Sequence, residues 1–484
     1  MMIYRRTIYL SLLILFTGFG ALGQNTKQSW TLEECINYAW ENNLTIRTNQ
    51  LNQLQNEISL KESRFSRLPN LNGNGSVGKQ FGRTINPNTN EFTNVDVLGG
   101  SVSLNSSVTL YRGGQILNTI KQNEVNVKAS EQDLQKAKND IGLTVATNFL
   151  TVLLNQEQLE NAKFQLRTSE EQLERTKKLV NAGSLPLANQ LDLESQKATN
   201  EVTLINAENA VNLSMLTLKQ SMQMPAGEAL SISAPDIEVT SLSMAPQNPT
   251  EIYQIALNNQ PDIKSAELGI ESSDYGIKLA KAAFYPTVSL NGSISSNFSD
   301  AAQSITGFQN VAVPAQQIGT VDGTNTPVFS LPGTREIPIA SDTQFFDQID
   351  NNLGQSIGLG LNVPIFTRFS NKSNLQRAQI TKQRAEITAL NAKNTLRQNI
   401  ESAYNNALAS FKSYEATEKR VAALQESFRA TEQQYNVGSA NAVDYQVASN
   451  NLFAARTDLV RAKYEYIFRT KILDFYLGNP ITLK

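Results

Sequence analysis

Residues 286–298 read PTVSLNGSISSNF, and apolar and polar side chains alternate along this stretch. One face carries Val288, Leu290, Ile294 and Phe298, together with one Gly and one Ser. The other face carries only Thr, Ser and Asn. A period of two predicts a β-strand with two unlike faces. A water-facing sheet would carry Lys and Glu, so the small uncharged face indicates the lumen of a membrane barrel. The length also matches the roughly 9–11 residues of a tilted membrane strand.

Three further segments show the same alternation. They cover about residues 69–82, 101–111 and 353–366. The stretch described above, about 286–298, is the third of the four segments in chain order. Their polar faces consist of Asn, Ser, Thr, Gln and Gly, again without a charged side chain. The sequence therefore predicts four membrane strands per chain.

The chain contains an internal duplication, which is the sequence signature of a repeated structural unit. Ala39–Ile46 (AWENNLTI) aligns with Ala256–Ile263 (ALNNQPDI) at an offset of 217, and Asn181–Ser184 (NAGS) aligns with Asn436–Ser439 (NVGS) at an offset of 255. The difference, 255 − 217 = 38, places a 38-residue expansion between the third and fourth strands. The predicted divisions are a first repeat at 24–224, a linker at 225–249, and a second repeat at 250–484 with an expanded loop at about 299–351.

Each repeat also contains a pair of long helical segments. They cover about 113–181 and 186–222 in the first repeat, and about 369–435 and 440–476 in the second. Apolar residues recur every seven positions, which predicts coiled-coil packing; the first examples are Ile120, Val127, Leu134 and Ile141. The first segment would extend roughly 100 Å at 1.5 Å per residue. A conduit crossing a periplasm needs such a length, and an ordinary globular domain does not.

Residues 1–23 predict a cleaved signal peptide. Arg5 and Arg6 precede the apolar stretch Ile8–Phe19, and small residues follow it at Ala21 and Gly23. An uncleaved inner-membrane anchor is the alternative, but the stretch is short for roughly 30 Å of hydrocarbon. The mature chain is therefore expected outside the cytoplasm.

Composition excludes several classes of protein. The chain has no histidine and one cysteine, Cys35, so it lacks an imidazole base, an intrachain disulfide, and the ligands of a zinc or iron–sulfur site. A formal net charge of −2 provides no basic field for nucleic acid. No phosphate-binding GxxxxGK[ST] loop is present. We therefore expect a protein that is not an enzyme, binds no cofactor and has no nucleic-acid partner.

Four strands cannot close a barrel by themselves. They leave two open edges, and a bilayer tolerates no unpaired lipid-facing backbone. Two copies would supply eight strands, whose barrel is filled by its own side chains, whereas three copies supply twelve and leave room for a lumen. Because small residues line the predicted inner face, we infer a homotrimer embedded in outer-membrane lipid.

In this arrangement the chain resembles the TolC-like outer-membrane efflux family, from Trp30 to about Pro480. The resemblance rests on the duplication, the order of strand pair and long helix, and the turns Ala182–Leu185 (AGSL) and Val437–Ala440 (VGSA). It implies a mixed α and β membrane protein in which a trimeric 12-stranded β-barrel continues into a periplasmic α-helical barrel. It also implies an outer-membrane exit duct of a Gram-negative bacterium, docked to a periplasmic adaptor and an inner-membrane pump.

The same resemblance implies a closure near the helix turns, where family members often carry rings of acidic residues. Asp444 matches the acidic position six residues after the turn glycine, while Asn189 occupies the equivalent position of the first repeat and Val447 replaces a second acidic residue. Three copies of Asp444 would repel one another and attract cations. An exposed Asp favoured by the helix macrodipole is the alternative. Tyr435 matches an aromatic residue that helps hold the closed tip, and packing within the coiled coil is its alternative role.

The turns themselves carry two expectations. Gly183 and Gly438 end their helices, where glycine adopts left-handed geometry at little cost. With Ser184 and Ser439, they are implied by the resemblance to be adaptor-docking positions.

Two other functions fit part of the sequence. A coiled-coil surface or scaffold protein could use its barrel only as an anchor, and its lumen would then be plugged. A periplasmic adaptor would also contain long coiled-coil helices, but it would not need four strands of membrane length.

Overall fold

The structure, a computed structural model, describes residues 29–85, 92–94, 96–233 and 248–480. The predicted signal peptide, residues 1–23, lies outside the described residues. The chain divides into two compact units. A helical unit consists of Met1–Glu57, Val125–Glu271 and Gln383–Lys484, and a sheet unit consists of Ile58–Glu124 and Ser272–Lys382.

Long helices and antiparallel strands make up both repeats, as the sequence predicts. The helices are α1 (Leu32–Asn42), α2 (Leu44–Phe65), α3 (Gln115–Asn181), α4 (Leu187–Met222), α5 (Pro249–Asn259), α6 (Pro261–Ala282), α7 (Phe345–Asn351), α8 (Ser370–Asn436) and α9 (Ala442–Tyr476). The strands are β1 (Asn70–Gln80), β2 (Arg83–Ile85), β3 (Phe92–Asn94), β4 (Val97–Arg112), β5 (Thr287–Ser299), β6 (Gln303–Val313), β7 (Gln317–Thr320), β8 (Pro327–Phe329), β9 (Gly333–Asp342) and β10 (Gly354–Asn362).

The helix bounds repeat at the two offsets seen in the sequence. Helix α6 is displaced from α2 by 217 residues at both ends, and α8 is displaced from α3 by 255 residues at both ends. The short helices that precede α2 and α6 are both capped at their N-termini. Thr31 and Glu34 form a capping box at α1, and the Asn248 side chain accepts the Thr250 N–H at α5.

The four predicted strands form one antiparallel sheet in the order β1-β4-β5-β10. Its pairing also follows the duplication. Asn70 lies opposite Ser107 in the first hairpin, and Thr287 lies opposite Asn362 in the second, which are the same positions displaced by 217 and 255. Strands β1 and β10 form the two edges of this sheet.

Three details of the sheet unit differ from the sequence prediction. The second strand was expected from about residue 101 but begins at Val97. The fourth strand was expected to reach about residue 366 but ends at Asn362, two residues before Pro364, which has no N–H to donate to a strand ladder. The expanded loop expected at about 299–351 contains regular structure. Strands β6 and β9 pair along their length, β7 pairs with β8, and α7 precedes β10.

The helical unit contains two hydrophobic clusters that occupy equivalent positions in the two repeats. In the first cluster, α1 packs with α3 and α4, and its buried members include Cys35, Ala39, Val145 and Leu218. The second cluster buries the residues at the matching positions, which are Ile252, Ala256, Ile400 and Leu473. Cys35 is therefore a small apolar core residue of α1.

No helix among the described residues combines the length and the apolar character needed to cross a bilayer.

The first cluster supplies a stability test at Phe149, which is fully buried in α3. We expect Phe149→Ala to lower the free energy of unfolding by about 3–5 kcal/mol, because it removes a buried ring and leaves a cavity. Chemical denaturation of the detergent-solubilised protein measures the change. Thr151→Ala, at an exposed position on the same helix, is the control and should change stability by less than about 0.5 kcal/mol. Equal effects of the two substitutions would contradict the assigned core.

Candidate functional site

A continuous uncharged polar surface crosses the whole four-stranded sheet. Asn72, Asn105, Ser293 and Ser356 lie opposite one another on the four consecutive strands. The hydroxyls of Ser293 and Ser356 are 2.8 Å apart, within hydrogen-bond distance. Hydroxyl and amide groups in such a row satisfy one another or water, and they offer no fixed charge to a passing solute.

The opposite face of the sheet is apolar and exposed in the isolated chain. Leu71 and Val77 of β1 are each 71% exposed, and Ile357 of β10 is 80% exposed. Contiguous apolar side chains on a strand face indicate contact with lipid or with another protein surface. The two faces of the sheet therefore have the polarity expected of an inner and an outer barrel surface.

The two helix turns have the same backbone structure. Gly183 and Gly438 adopt φ values of 77° and 79°. In each turn the following serine donates its N–H to a carbonyl five residues earlier, Ser184 to Leu179 and Ser439 to Gln434, both at 2.8 Å. This is a Schellman arrangement, which satisfies carbonyls that the helix end leaves unpaired.

The two repeats differ immediately after these turns. In the second repeat, the Asn441 side chain caps α9 by accepting the N–H of Asp444 at 2.8 Å. In the first repeat Pro186 precedes α4, and no side chain caps that helix. The cap places Asp444 in the first turn of α9, where the helix macrodipole favours a negative charge.

The structure leaves Asp444 exposed and Asn189 half-buried. Val447, at the position where a second acidic residue would stand, is 53% exposed. The first repeat has Asp192 at the equivalent position, and that side chain is also exposed. The tips of the two helix pairs thus carry one carboxylate each at these two positions, a pattern that the sequence comparison at Asp444 alone did not reveal.

Tyr435 belongs to an aromatic cluster beside Asp444. Its ring centroid lies 5.0 Å from that of Tyr445, which in turn lies 5.4 Å from Phe428. Burial raises the pKa of Tyr445 to about 12, and the negative charge of Glu432 adds to the increase. The cluster packs the end of α8 against the start of α9, and Tyr435 takes part in this packing near the tip.

One polar contact at the tips joins the two repeats. The guanidinium of Arg175, on α3, donates to the side-chain oxygen of Asn436, the last residue of α8, at 2.5 Å. No sequence pattern indicates Arg175, because its equivalent in the second repeat is Ala430. The only available signal was an arginine that one repeat has and the other lacks.

Among residues 29–85, 92–94, 96–233 and 248–480, no group of three His, Cys, Asp or Glu side chains is placed to hold a metal ion.

Comparison with known proteins assigns the chain to a family. The family model described as Outer membrane efflux protein matches residues 35–222 and 252–479. The chain belongs to this family. It is therefore an outer-membrane efflux channel of the tripartite type found in Gram-negative bacteria, and it is not an enzyme.

Individual relatives span nearly the whole chain. The outer membrane efflux protein BepC of Brucella suis is 23% identical over 461 residues, covering 94% of this chain and 86% of that protein. The outer membrane protein TolC of Vibrio cholerae is 23% identical over 474 residues, covering 97% and 95%. The solved structure of CusC matches with a TM-score of 0.73 at 18% identity, covering 95% of this chain and 96% of that chain. At this identity the structural likeness establishes the fold alone.

The left-handed turn supplies a prediction at Gly438. We expect Gly438→Ala to destabilise the turn by about 1 kcal/mol, because a Cβ is unfavourable at positive φ. Amide hydrogen exchange of the turn, around Ser439, should accelerate roughly fivefold. Gly227→Ala is the matched control, since space is also open around Gly227 but its φ is not in the left-handed region. Unchanged exchange in Gly438→Ala would contradict the assigned turn.

The buried phenol supplies a pH prediction. An unfolded tyrosine has a pKa near 10, whereas burial raises the pKa of Tyr445 in the folded protein to about 12. Between these values the unfolded chain binds fewer protons, so the contribution of Tyr445 to stability should fall as pH rises from about 10 to about 12, and it is fully present below that window. Tyr445→Phe should reduce the slope measured by denaturation at several pH values. Tyr464→Phe should do the same, because burial also raises the pKa of Tyr464 to about 12. An unchanged slope in both variants would refute this assignment.

Proposed function

We propose that three copies of this chain form the exit duct of a tripartite exporter, a passive channel through the outer membrane. The observation that carries the proposal is the four-stranded sheet, which has one uncharged polar face, one exposed apolar face and two open edges, β1 and β10. Unpaired backbone is costly in lipid, so each edge needs a strand from another copy. Three copies supply twelve strands, enough for a barrel with a lumen.

The proposed orientation follows from the two faces of the sheet. Side chains such as Leu71 and Ile357 would contact outer-membrane lipid, and the row that includes Asn105 and Ser293 would line the lumen. Export would remove residues 1–23 as a signal peptide. The mature chain would then consist of two repeats, 24–224 and 250–484, joined by a linker at 225–249.

The gate of this duct would lie at the periplasmic tips of the long helices. Three Asp444 carboxylates near a common axis would repel one another and attract cations, and Asn189 would contribute a neutral polar group at the equivalent position. The contact between Arg175 and Asn436 restrains the end of α8 relative to α3. Opening would require the helix pairs to separate at such contacts, a two-state change in the packing of the tip. Tyr435 would support the closed arrangement through its contact with Tyr445.

The exposed turns would be the docking positions for a periplasmic adaptor. Gly183, Ser184, Gly438 and Ser439 are all exposed, and both turns present the same Schellman backbone. A partner could therefore contact the two repeats in the same way. The adaptor would connect the duct to an inner-membrane pump, which would supply the energy for transport.

The native mass of detergent-extracted protein tests the assembly. Extraction from purified outer membranes should yield a particle that contains three chains, because two open strand edges per chain must be paired in lipid. Mass photometry or light scattering corrected for bound detergent measures the number of chains. A stable single chain, or release from the membrane without detergent, would refute the duct.

Conductance tests the gate. Arg175→Ala should raise single-channel conductance in planar bilayers by severalfold, because the substitution removes a charge-assisted hydrogen bond between the two helix pairs. Arg429→Ala is the matched control, since Arg429 pairs with Glu426 on its own helix and joins no other element through that contact. Equal conductance of the two variants would show that the contact of Arg175 does not restrain the tip.

Ion selectivity tests Asp444 separately. Asp444→Asn removes the charge and keeps the size of the side chain, so cation selectivity should decrease while the native mass stays unchanged. Reversal potentials in a salt gradient measure selectivity. Asp458→Asn is the control, because Asp458 forms an ion pair with Arg420 farther along the same helix pair. If both variants kept the cation selectivity of the unmodified protein, a ring of Asp444 at the constriction would be excluded.

A further inference from the structure

Each repeat passes from its second strand into a long helix through a two-residue turn at the equivalent position. In the first repeat the turn is Gly113–Gly114, with φ values of 56° and 77°, and in the second it is Arg368–Phe369, with φ values of 48° and 67°. The Thr367 carbonyl accepts the N–H of Ser370 at 2.9 Å and closes the second turn. Both of its central residues are left-handed, as in a type I′ turn, which strongly prefers Gly, Asn or Asp at these positions.

Arginine and phenylalanine are unfavourable residues for this backbone. A Cβ is disfavoured at positive φ, and a bulky side chain such as that of Phe369 is an outlier there. The first turn needs glycine for a second reason, because a Cβ at Gly113 would lie 2.7 Å from the carbonyl oxygen of Ala282. Residues that keep a strained conformation where glycine would fit without strain indicate a role for their side chains.

The side chains of the second turn form an exposed aromatic and basic group. Phe369 is 56% exposed, and the Lys372 ammonium lies 5.1 Å from the centre of its ring. Arg368 is also exposed, and no ion pair among residues 29–85, 92–94, 96–233 and 248–480 includes it. The first turn of α8 contains no acidic residue either. The two cations are therefore available to an anion from outside the chain.

The turn belongs to a basic band at one end of the four-stranded sheet. Four segments adjoin this end of β1, β4, β5 and β10, and they contain nine Lys or Arg residues and one acidic residue, Glu62. The segments are 61–69, 111–121, 281–286 and 365–377. The opposite end of the sheet has the reverse balance, since residues 299–352 contain six Asp or Glu residues and one Arg. Charge therefore favours an anionic partner at the end that contains Arg368.

Apolar side chains continue from the sheet to this turn. Leu361 on β10 is exposed, and beyond the strand Ile365 and Phe366 are 92% and 83% exposed. Along the chain, exposed apolar residues are thus followed by Arg368 and Lys372. Acyl chains followed by a phosphate have the same order in a phospholipid, and aromatic and basic side chains are typical of the level of its headgroup.

We propose that the Arg368–Phe369 turn is a binding site for a phospholipid in the periplasmic leaflet of the outer membrane. Arg368, whose planar guanidinium matches a phosphate, would hold the headgroup together with Lys372. Phe366 and Phe369 would lie beside the glycerol and the first acyl carbons. This inference rests on the duct proposed above, because it needs the apolar face of the sheet to contact lipid.

Lipid binding to the detergent-extracted full chain tests the site. Native mass spectrometry of the delipidated protein measures the affinity for phosphatidylglycerol and for diacylglycerol, a probe with the same acyl chains and no phosphate. Phosphatidylglycerol should bind more tightly, and Arg368→Gln should weaken its binding roughly fivefold, the effect of removing one cation at a lipid surface. Arg335→Gln is the matched control. It removes an exposed arginine at the opposite end of the sheet and should leave the affinity unchanged.

Arg368→Gly combined with Phe369→Gly separates binding from folding, because it gives the second repeat the turn of the first. Glycine adopts positive φ without strain, so the thermal midpoint in lipid-free detergent should not fall. Phosphatidylglycerol binding should weaken at least fivefold in the same variant. A midpoint that falls together with the affinity would show that the two side chains stabilise the turn, and would overturn the lipid site.

Three further outcomes would also decide against the site. A particle of three chains that binds phosphatidylglycerol and diacylglycerol equally, or binds phosphatidylglycerol equally after Arg368→Gln, would overturn the lipid site and leave the duct intact. Displacement of phosphatidylglycerol by an equal concentration of inorganic phosphate would assign the turn to free phosphate instead of a lipid. A single chain released from the membrane without detergent would overturn the duct and the lipid site together.

Discussion

The pairing of backbone N–H and C=O groups at the two edges of the sheet is the constraint on which the rest of this structure depends. In water an open strand edge is tolerated, but in lipid each unpaired group costs several kcal/mol. Strands β1 and β10 occupy those edges, and the sheet between them has one apolar face and one uncharged polar face. A chain with this sheet is incomplete by itself in lipid, and the proposed closed ring of several copies would satisfy its backbone.

The duplication satisfies part of this backbone constraint within the chain. One repeat supplies a hairpin and two long helices, and the second repeat adds them again with the same strand register and with buried residues at matching positions. Val145 and Ile400 illustrate the second point, because each is fully buried at the equivalent place in its cluster. The agreement of register and core between the two repeats means that one backbone geometry serves both halves of the chain.

Sequence patterns predicted the parts of the fold that have a strong period. Alternation located the four strands, and seven-residue spacing with a glycine at the end located the long helices to within two or three residues. The patterns missed the early end of β10, because the apolar alternation runs on through Val363 and Ile365 while Pro364 ends the ladder. They also missed the strands within 299–351, where turn residues dominate, and Arg175, whose contact with Asn436 depends on helix packing between residues 261 positions apart.

The two repeats differ at the tips of their long helices, where the gate is proposed to lie. Both turns use a left-handed glycine and the same two backbone hydrogen bonds, so the hairpin geometry is shared. The residues that follow are not shared, since Asn441 caps one helix where Pro186 stands in the other, and Tyr445 stands where the first repeat has Gln190. The second repeat therefore has a capped, aromatic and tightly packed tip. In the proposed gate, the two helix pairs would therefore need different free energies to separate, because Tyr445 contacts Phe428 and Tyr435 in the second pair whereas Gln190 stands at its position in the first.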